Sequence, residues 1–479
     1  MDNQIVTRFA PSPTGYLHIG SLRSVLYTFL ETKRLGGKYI LRVEDTDRNR
    51  YVEGAVDDMQ RVLDWFGIVF DEGPFVGGPN GPYIQSERME IYKPYAEELV
   101  NKGWAYYCFC TAEELKQEKE SGLMMYSRKC SSLTPEEIQE KLDKGLPYVI
   151  RLRVPKGRVI EYEDMILGKV KFESDMIDDQ VLLKSDGYPT YHLAVVVDDH
   201  LMGVNLVTRA MEWVSSTPKQ ILLYEAFNWN CPKFAHLPPV LGKDKKKKLG
   251  KRDGDTAVTD YIKKGYLKEA LINYLVISGW HPQDNREIFS LEELKKEFSL
   301  DRLNKVGSAF DIDKLNWFNK EYLKKMTTED IMERLKDVAL DEKILKLDKE
   351  YLKKIIQVEK TRLNNLSELN NIGEYYFSEP KVDLESLVFK KSTKQATKTA
   401  LEKVTEKLAN CENWEIEEIN NLMLEVVKEN NLTNGDVFWP VRYALTGAMQ
   451  SPSPVEMAWV LGKEESLKRL RNVNNVFCK

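Results

Sequence analysis

The chain has 479 residues, 42% of them hydrophobic, and a formal net charge of −5. That length allows about two to four domains. The acidic balance excludes a surface of uniformly positive potential, but a basic stripe that meets nucleic acid is compatible with it. No apolar run approaches the ~18 residues of a membrane span. The first residues carry neither a basic signal-peptide region nor an Arg-rich transit pattern. Six cysteines, three clustered and three scattered, read as a reducing compartment and not as a disulfide framework. A cytoplasmic location is expected.

The apolar run from Ile5 to Ala10 predicts a buried strand. It stops at Pro11-Ser12-Pro13-Thr14-Gly15, which continues neither a helix nor a central strand. Leu22, Val25, Leu26, Phe29 and Leu30 then recur at helical spacing. His18 and Gly20 therefore sit where a strand hands over to a helix N-terminus, a place with unpaired N–H groups that suits an anion. The chain contains neither G-x-x-x-x-G-K-[ST] nor G-x-G-x-x-G. A strand over Tyr39–Val43 and a helix from Glu53 to Phe66 complete a βαβα rhythm, which predicts a parallel sheet covered by helices. A helix from Ser86 to Lys102 follows.

From Trp104 to Lys156 the rhythm breaks. Cysteines, charged helical turns and a strand over Tyr148–Val154 predict an insertion. Within it, Cys108-x-Cys110 and Cys130 offer three thiolates, which with one more ligand would complete a tetrahedral Zn²⁺ site. The parallel sheet is expected to resume with Val181–Leu183, Leu193–Val197 and Val204–Thr208, and a nucleotide would bind at the carboxyl ends of its strands. The segment from Gly242 to Lys251 carries six lysines. Alone it reads as a solvated basic loop or a nucleic-acid tether. Paired with His18 at a helix N-terminus, Lys248 and Lys251 supply what a nucleoside triphosphate needs. After Tyr261 the chain turns helical and stays so to Lys479, with no internal repeat and a domain boundary near Asn319–Leu323.

His18-Ile19-Gly20-Ser21 and Lys248-Leu249-Gly250-Lys251-Arg252 resemble the two signatures of the class I aminoacyl-tRNA synthetases, and more narrowly those of bacterial glutamyl-tRNA synthetases. The resemblance runs nearly end to end, through Arg8-Phe9-Ala10-Pro11-Ser12-Pro13-Thr14-Gly15, Arg42-Val43-Glu44-Asp45-Thr46-Asp47, Gln85-Ser86-Glu87-Arg88, Tyr188-Pro189-Thr190-Tyr191-His192, Trp317-Phe318-Asn319 and Ala444-Leu445-Thr446-Gly447. Gly250 departs from the usual Ser, and Val195 stands where relatives often carry Asn.

The resemblance implies an α/β fold: a Rossmann-type parallel-sheet catalytic domain with an α+β insertion, followed by an all-α anticodon-binding region. Its parts would be residues 1–103 and 181–241 for the two catalytic halves, 104–180 for the acceptor-binding insertion, 242–322 for the second-signature loop and stem-contact domain, and 323–479 for the anticodon domain. It implies a glutamate–tRNA ligase that uses ATP with Mg²⁺, L-glutamate and tRNA(Glu), and a monomer without a membrane. His18, Lys248 and Lys251 would be catalytic, with Gly20, Ser21, Glu212 and Lys251 at the ATP. Arg8 and Arg209 would face the γ-carboxylate, the bidentate arrangement that best separates glutamate from glutamine. Tyr191, Glu44, Ala10, Ser12 and Trp213 would complete the glutamate site. Without the resemblance, Arg8 would be expected to pair with Glu44 or Asp45, and Arg209 with Glu212. A related tRNA-modifying synthetase carries Cys-x-Cys with Tyr-x-x-x-Cys, which implies Tyr126 as fourth ligand beside Cys108, Cys110 and Cys130. Arg362 would favour C at the third anticodon position and make the enzyme discriminating; Arg442 is a second RNA candidate. A glutaminyl enzyme, with its β-barrel-rich anticodon region, fits the helical tail less well. A paralogue that also charges tRNA(Gln) and a non-catalytic tRNA-binding paralogue are the competing functions.

Overall fold

The computed structural model describes residues 4–47, 50–242, 244, 247–249 and 257–477. The chain divides into two compact units, Met1–Tyr261 with Lys268–Leu315, and Ile262–Leu267 with Asn316–Lys479.

In the first unit, β1 (Val6–Phe9) pairs parallel with β2 (Lys38–Leu41), joined by α1 (Ile19–Arg34). Helix α1 is buried along most of its length, from Ile19 through Thr32. Lys33 and Arg34 in its last turn complement the helix dipole. Helices α2 (Ala55–Trp65) and α3 (Met89–Asn101) follow close to where the periodicity predicts them.

The insertion contains β3 (Ala105–Cys108), α4 (Ala112–Glu120), α5 (Pro135–Asp143), β4 (Val149–Leu152), β5 (Val159–Asp164) and β6 (Gly168–Glu173). Neither α4 nor α5 buries a residue, and each begins with a capping box, Thr111 with Glu114 and Thr134 with Glu137. Local hydrogen bonding stands in for packing in these two helices. The next strand, β7 (Val181–Leu183), corrects an expectation. It pairs antiparallel with β4 in a three-stranded sheet, β3-β4-β7, so it belongs to the insertion's sheet and not to the parallel one.

A second correction concerns Leu193–Val197, which is not a strand but the middle of helix α6 (Tyr191–Leu201). Every residue from Leu193 to Asp199 is buried, so no polar face interrupts the apolar run. A helix buried all round has no periodicity to distinguish it from a buried strand. The parallel sheet resumes with β8 (Leu206–Ala210), which after α7 (Thr217–Phe227) pairs parallel with β9 (Lys233–Leu237). Strand β5 adds to the other side of β9, and β6 pairs antiparallel outside it. Asn205 ties β1 to β8, its N–H donating to the Val6 carbonyl and its Oδ1 accepting from the Val6 N–H.

The second unit is helical. Its main helices are Lys349–Glu359, Lys394–Ala409, Ile416–Glu429, Asn434–Thr446 and Pro454–Phe477, the last kinked at Gly462. Among the described residues, no helix is long and apolar enough to cross a membrane.

Candidate active site

A cleft of about 1490 Å³ opens where β1, β8 and β9 end, walled by the N-termini of α1 and α6. Arg8, Ala10, Ser12, His18, Gly20, Ser21, Glu44, Tyr191, Arg209, Glu212, Trp213 and Lys248 all line it. Residues separated by up to 240 positions in the chain are thus brought to one cavity. Lys251 and Gly250 lie outside the described residues.

His18 is the N-cap of α1. Its Nδ1 accepts from the Gly20 N–H at 3.0 Å. A neutral imidazole that accepts through Nδ1 carries its proton on Nε2. Burial, with the nearby Lys248 charge, holds His18 below its usual range, so it is a neutral donor at pH 7. A Cβ on Gly20 would meet His18 Nδ1 at 3.3 Å, tighter than ordinary contact, so a side chain there would press on the imidazole. The second-signature segment is anchored on both sides of its undescribed residues. Leu249 N–H donates to the Val240 carbonyl and Gly242 N–H to that of Lys247, while Ala257 bridges to His18 and Val258 N–H donates to the Leu17 carbonyl. Lys248 Nζ lies 2.8 Å from Glu212 Oε2 in an exposed ion pair.

Neither expected arginine pairing forms. Arg8, 4% exposed, donates from Nε to Asp199 Oδ1 at 3.1 Å and from Nη1 to the Thr208 carbonyl. Burial alone would lower Arg8, but the charges of Asp199, Tyr191 and Glu44 together outweigh it and raise the group above its ordinary value. Asp199 also meets Arg42 Nη1 at 2.7 Å, and Arg42 Nη2 donates to Glu44 Oε1 at 3.0 Å. Asp198 accepts from Arg88, Gln85 and Tyr92. Arg8, Arg42 and Arg88 thus balance Glu44, Asp198 and Asp199 in one buried network, as buried charges require. Composition and periodicity missed this network. Its signal was Asp198-Asp199 at the end of an apolar run, where acids need a buried partner.

Arg209 differs. Buried at 8% exposure, it donates to His236 Nε2, the Tyr191 hydroxyl and Thr217 Oγ1, and among the described residues it has no carboxylate partner. Tyr191 packs its ring 4.3 Å from that of Trp213. Val195 is buried among apolar neighbours in the core and is not part of the cleft wall.

In the insertion, the Sγ atoms of Cys108, Cys110 and Cys130 lie within 4.8 Å of one another, Cys110 and Cys130 at 3.5 Å. The Tyr126 hydroxyl stands 3.3 Å from Cys108 Sγ and 3.2 Å from Cys110 Sγ, and accepts from the Cys130 N–H. The Arg151 guanidinium lies 4.1 Å from the centre of the Tyr126 ring. Around a tetrahedral ion with Zn–S of ~2.3 Å the S···S edge is about 3.8 Å, so this donor set fits zinc with little movement.

In the helical unit, Arg362 lines a groove of about 1050 Å³ with Tyr375, Thr446 and Gln450. Its Nη2 donates to Glu456 Oε2 at 3.1 Å. Arg442 lies 4.5 Å from the Trp439 ring centre and donates to the Met449 carbonyl.

The chain as a whole is similar to known proteins. Residues 4–317 match the family of class I tRNA synthetases (E and Q), catalytic domain, and residues 327–474 match an anticodon binding domain. The glutamate–tRNA ligase of Clostridium novyi is 45% identical over 473 residues, 98% of this chain and 97% of its own. The chain belongs to the glutamate–tRNA ligases, class I aminoacyl-tRNA synthetases. The Clostridium acetobutylicum glutamate–tRNA ligase is 43% identical, covering 98% of each chain. A crystal structure of the glutamate tRNA ligase of Elizabethkingia meningosepticum in complex with its amino acid superposes with a TM-score of 0.89 at 36% identity, over 99% of this chain and 100% of that one. A parallel-sheet catalytic unit and a helical anticodon unit are the architecture that this family membership carries.

Proposed function

We propose that this ligase works through the cleft as follows. Glutamate's α-carboxylate attacks the α-phosphorus of ATP in line, giving glutamyl-adenylate and pyrophosphate, and the terminal ribose hydroxyl of tRNA(Glu) then takes the glutamyl group with release of AMP. Such a step needs positioning and charge stabilisation but no side-chain nucleophile. The His18 Nε2–H donates to the α-phosphate as charge builds there. Lys248 and Lys251 meet the β- and γ-phosphates, whose charge Mg²⁺ also offsets. Gly20 and Ser21 let the phosphates approach the α1 N-terminus, and Glu212 lines the ATP side. Arg8 and Arg209 take the γ-carboxylate, with Tyr191 and Trp213 beside it. Glu44 and the backbone around Ala10 and Ser12 take the α-amino group.

One observation carries this reading. Arg209 is a buried guanidinium whose protein partners are all neutral. Such a cation calls for an anionic ligand, and glutamate has the carboxylate that glutamine lacks. The test is ATP–pyrophosphate exchange with glutamate in the presence of tRNA and Mg²⁺. Exchange with glutamate and none with glutamine is expected; no exchange at all would leave a tRNA-binding paralogue without catalysis.

The functional division we favour runs the acceptor-binding insertion from residue 104 through β7 to Leu183, between catalytic segments 1–103 and 184–241, with its β5 and β6 lying on the catalytic sheet. Residues 242–322 contact the tRNA stem and 323–479 read the anticodon. In that last part Arg362 discriminates at the third anticodon base by hydrogen bonding to an unstacked base. Charging tRNA(Glu) and tRNA(Gln) transcripts separately tests this. The Arg362→Gln variant should narrow the preference by about 5- to 100-fold, and equal charging by the parent enzyme would refute discrimination. The chain acts as a monomer in the cytoplasm. Cys108, Cys110, Tyr126 and Cys130 hold one Zn²⁺, which supplies structure to the insertion and no chemistry to the cleft. Purified protein should contain close to one zinc per chain; less than about one-fifth would rule the site out.

A further inference from the structure

A buried cation among neutral groups must be held in place by them. Arg209 Nε donates to His236 Nε2 at 3.1 Å, Nη2 to Thr217 Oγ1 at 2.8 Å and Nη1 to the Tyr191 hydroxyl at 3.3 Å. Arg209 and His236 are register partners on the parallel strands β8 and β9, so the contact is built into the sheet. His236 is fully buried. Its other ring nitrogen, Nδ1, lies 2.6 Å from Asp164 Oδ2, on the last residue of β5. That carboxylate also accepts from the backbone N–H groups of Ile166, Leu167 and His236, which prevents it from turning away.

These contacts decide a tautomer. An ionised carboxylate only accepts, so His236 Nδ1 carries the proton and Nε2 presents a lone pair to the Arg209 N–H. The opposite tautomer would set two N–H groups against each other. The titration of the pair agrees. Burial holds His236 below its usual range. Burial pushes Asp164 up, but the hydrogen bonds from His236 and from the Leu167 and Ile166 N–H groups bring it below the usual carboxylate range.

We propose that His236 and Asp164 are the positioning residues of the amino-acid site. Asp164 fixes the His236 tautomer, and His236 holds the Nε edge of Arg209 so that the guanidinium keeps one orientation toward the cleft. The imidazole also keeps Asp164 a ring's width from the guanidinium. A carboxylate in direct contact, such as Asp199 gives Arg8, would offset part of the Arg209 charge and weaken its pull on the substrate's own carboxylate. This inference rests on the assignment of Arg209 to glutamate under the proposed function.

The test is steady-state kinetics on the full-length enzyme with tRNA present. A glutamine at 236 sets an amide oxygen near the Nε2 position, whereas an asparagine reaches only the Nδ1 position and leaves Arg209 Nε without an acceptor. His236→Asn should raise the glutamate KM about ten- to hundredfold, with kcat and the ATP KM within about threefold. His236→Gln should recover most of that loss. Asp164→Asn turns an N–H toward Nδ1 and should enforce the wrong tautomer. It is expected to raise the glutamate KM in the same way and to exchange the two ring ¹⁵N shifts of His236, one signal among five histidines. That spectrum reports on the folded protein even where the His236 variants melt early. Equal KM values for the Asn and Gln variants, a loss confined to kcat, or an unchanged tautomer in Asp164→Asn would overturn the proposal. Arg209→Ala separates the two levels. If it leaves the glutamate KM unchanged, the glutamate assignment itself is wrong. If it raises that KM while His236→Asn does not, only the positioning role falls.

Discussion

The arginines of the cleft and its lysine are held in opposite ways. Arg8 and Arg209 are buried, and each is tied down through more than one of its nitrogens. The Lys248 side chain is 55% exposed and held by one ion pair to Glu212. A group that must recognise a small, rigid carboxylate gains from being fixed beforehand, because a guanidinium already in place spends little entropy on binding. A group that must close over flexible phosphates cannot be fixed in that way, and an exposed pair of modest worth lets it go. His18 stands between these cases: half-buried, capped on one ring nitrogen by its own helix, with the other nitrogen left to donate.

Three substitutions probe this contrast, and their effects should fall in the order of how completely each side chain is fixed. Arg209→Ala should cost most, about a hundred- to several-thousandfold in kcat/KM for glutamate. It should also flatten the preference for glutamate over glutamine; an intact preference would remove Arg209 from the recognition of charge. His18→Ala should follow, with kcat for pyrophosphate exchange down about 10²- to 10³-fold and little change in the glutamate KM. A loss confined to KM would make His18 a binding group and not a stabiliser of developing charge. Glu212→Gln should do least, shifting the ATP KM by less than about fivefold, because an exposed ion pair is worth only ~0.2–1 kcal/mol. A much larger rise in that KM would give Glu212 a direct contact with ATP and would break the contrast between fixed and releasable groups.

The readings that survive are those where local chemistry and global fold agree. The strand–loop–helix around His18 was legible because Pro11, Pro13 and Gly15 punctuate it and because Leu22, Val25, Leu26 and Phe29 mark a helix face. The readings that failed share a cause. Leu193–Val197 forms a helix with no polar side, and Val181–Leu183 is a short apolar strand whose partner, β4, lies about thirty residues back in the insertion. Burial on every side erases the periodicity that separates the two states, and a three-residue strand carries no mark of the sheet it joins. The same limit hid the roles of Asp198, Asp199, His236 and Asp164. Each reads in sequence as a polar residue at the edge of an apolar run, and only its partners reveal what it does.

By itself, the chain's order of residues determined the parallel-sheet unit with its insertion, the helical second unit, and the set of polar residues available for a nucleotide and an amino acid. These depend on apolar spacing, turn residues and motif order, which are local. Tertiary structure alone decided how charge is distributed among the arginines. Arg8 is matched by Asp199, and Arg209 is left with His236, Tyr191 and Thr217. The reason is distance. At a few ångströms in a buried site, one carboxylate more or less sets how much of a guanidinium's charge is left for a ligand, and residues 8, 164, 199, 209 and 236 meet only when β1, β5, α6, β8 and β9 are assembled.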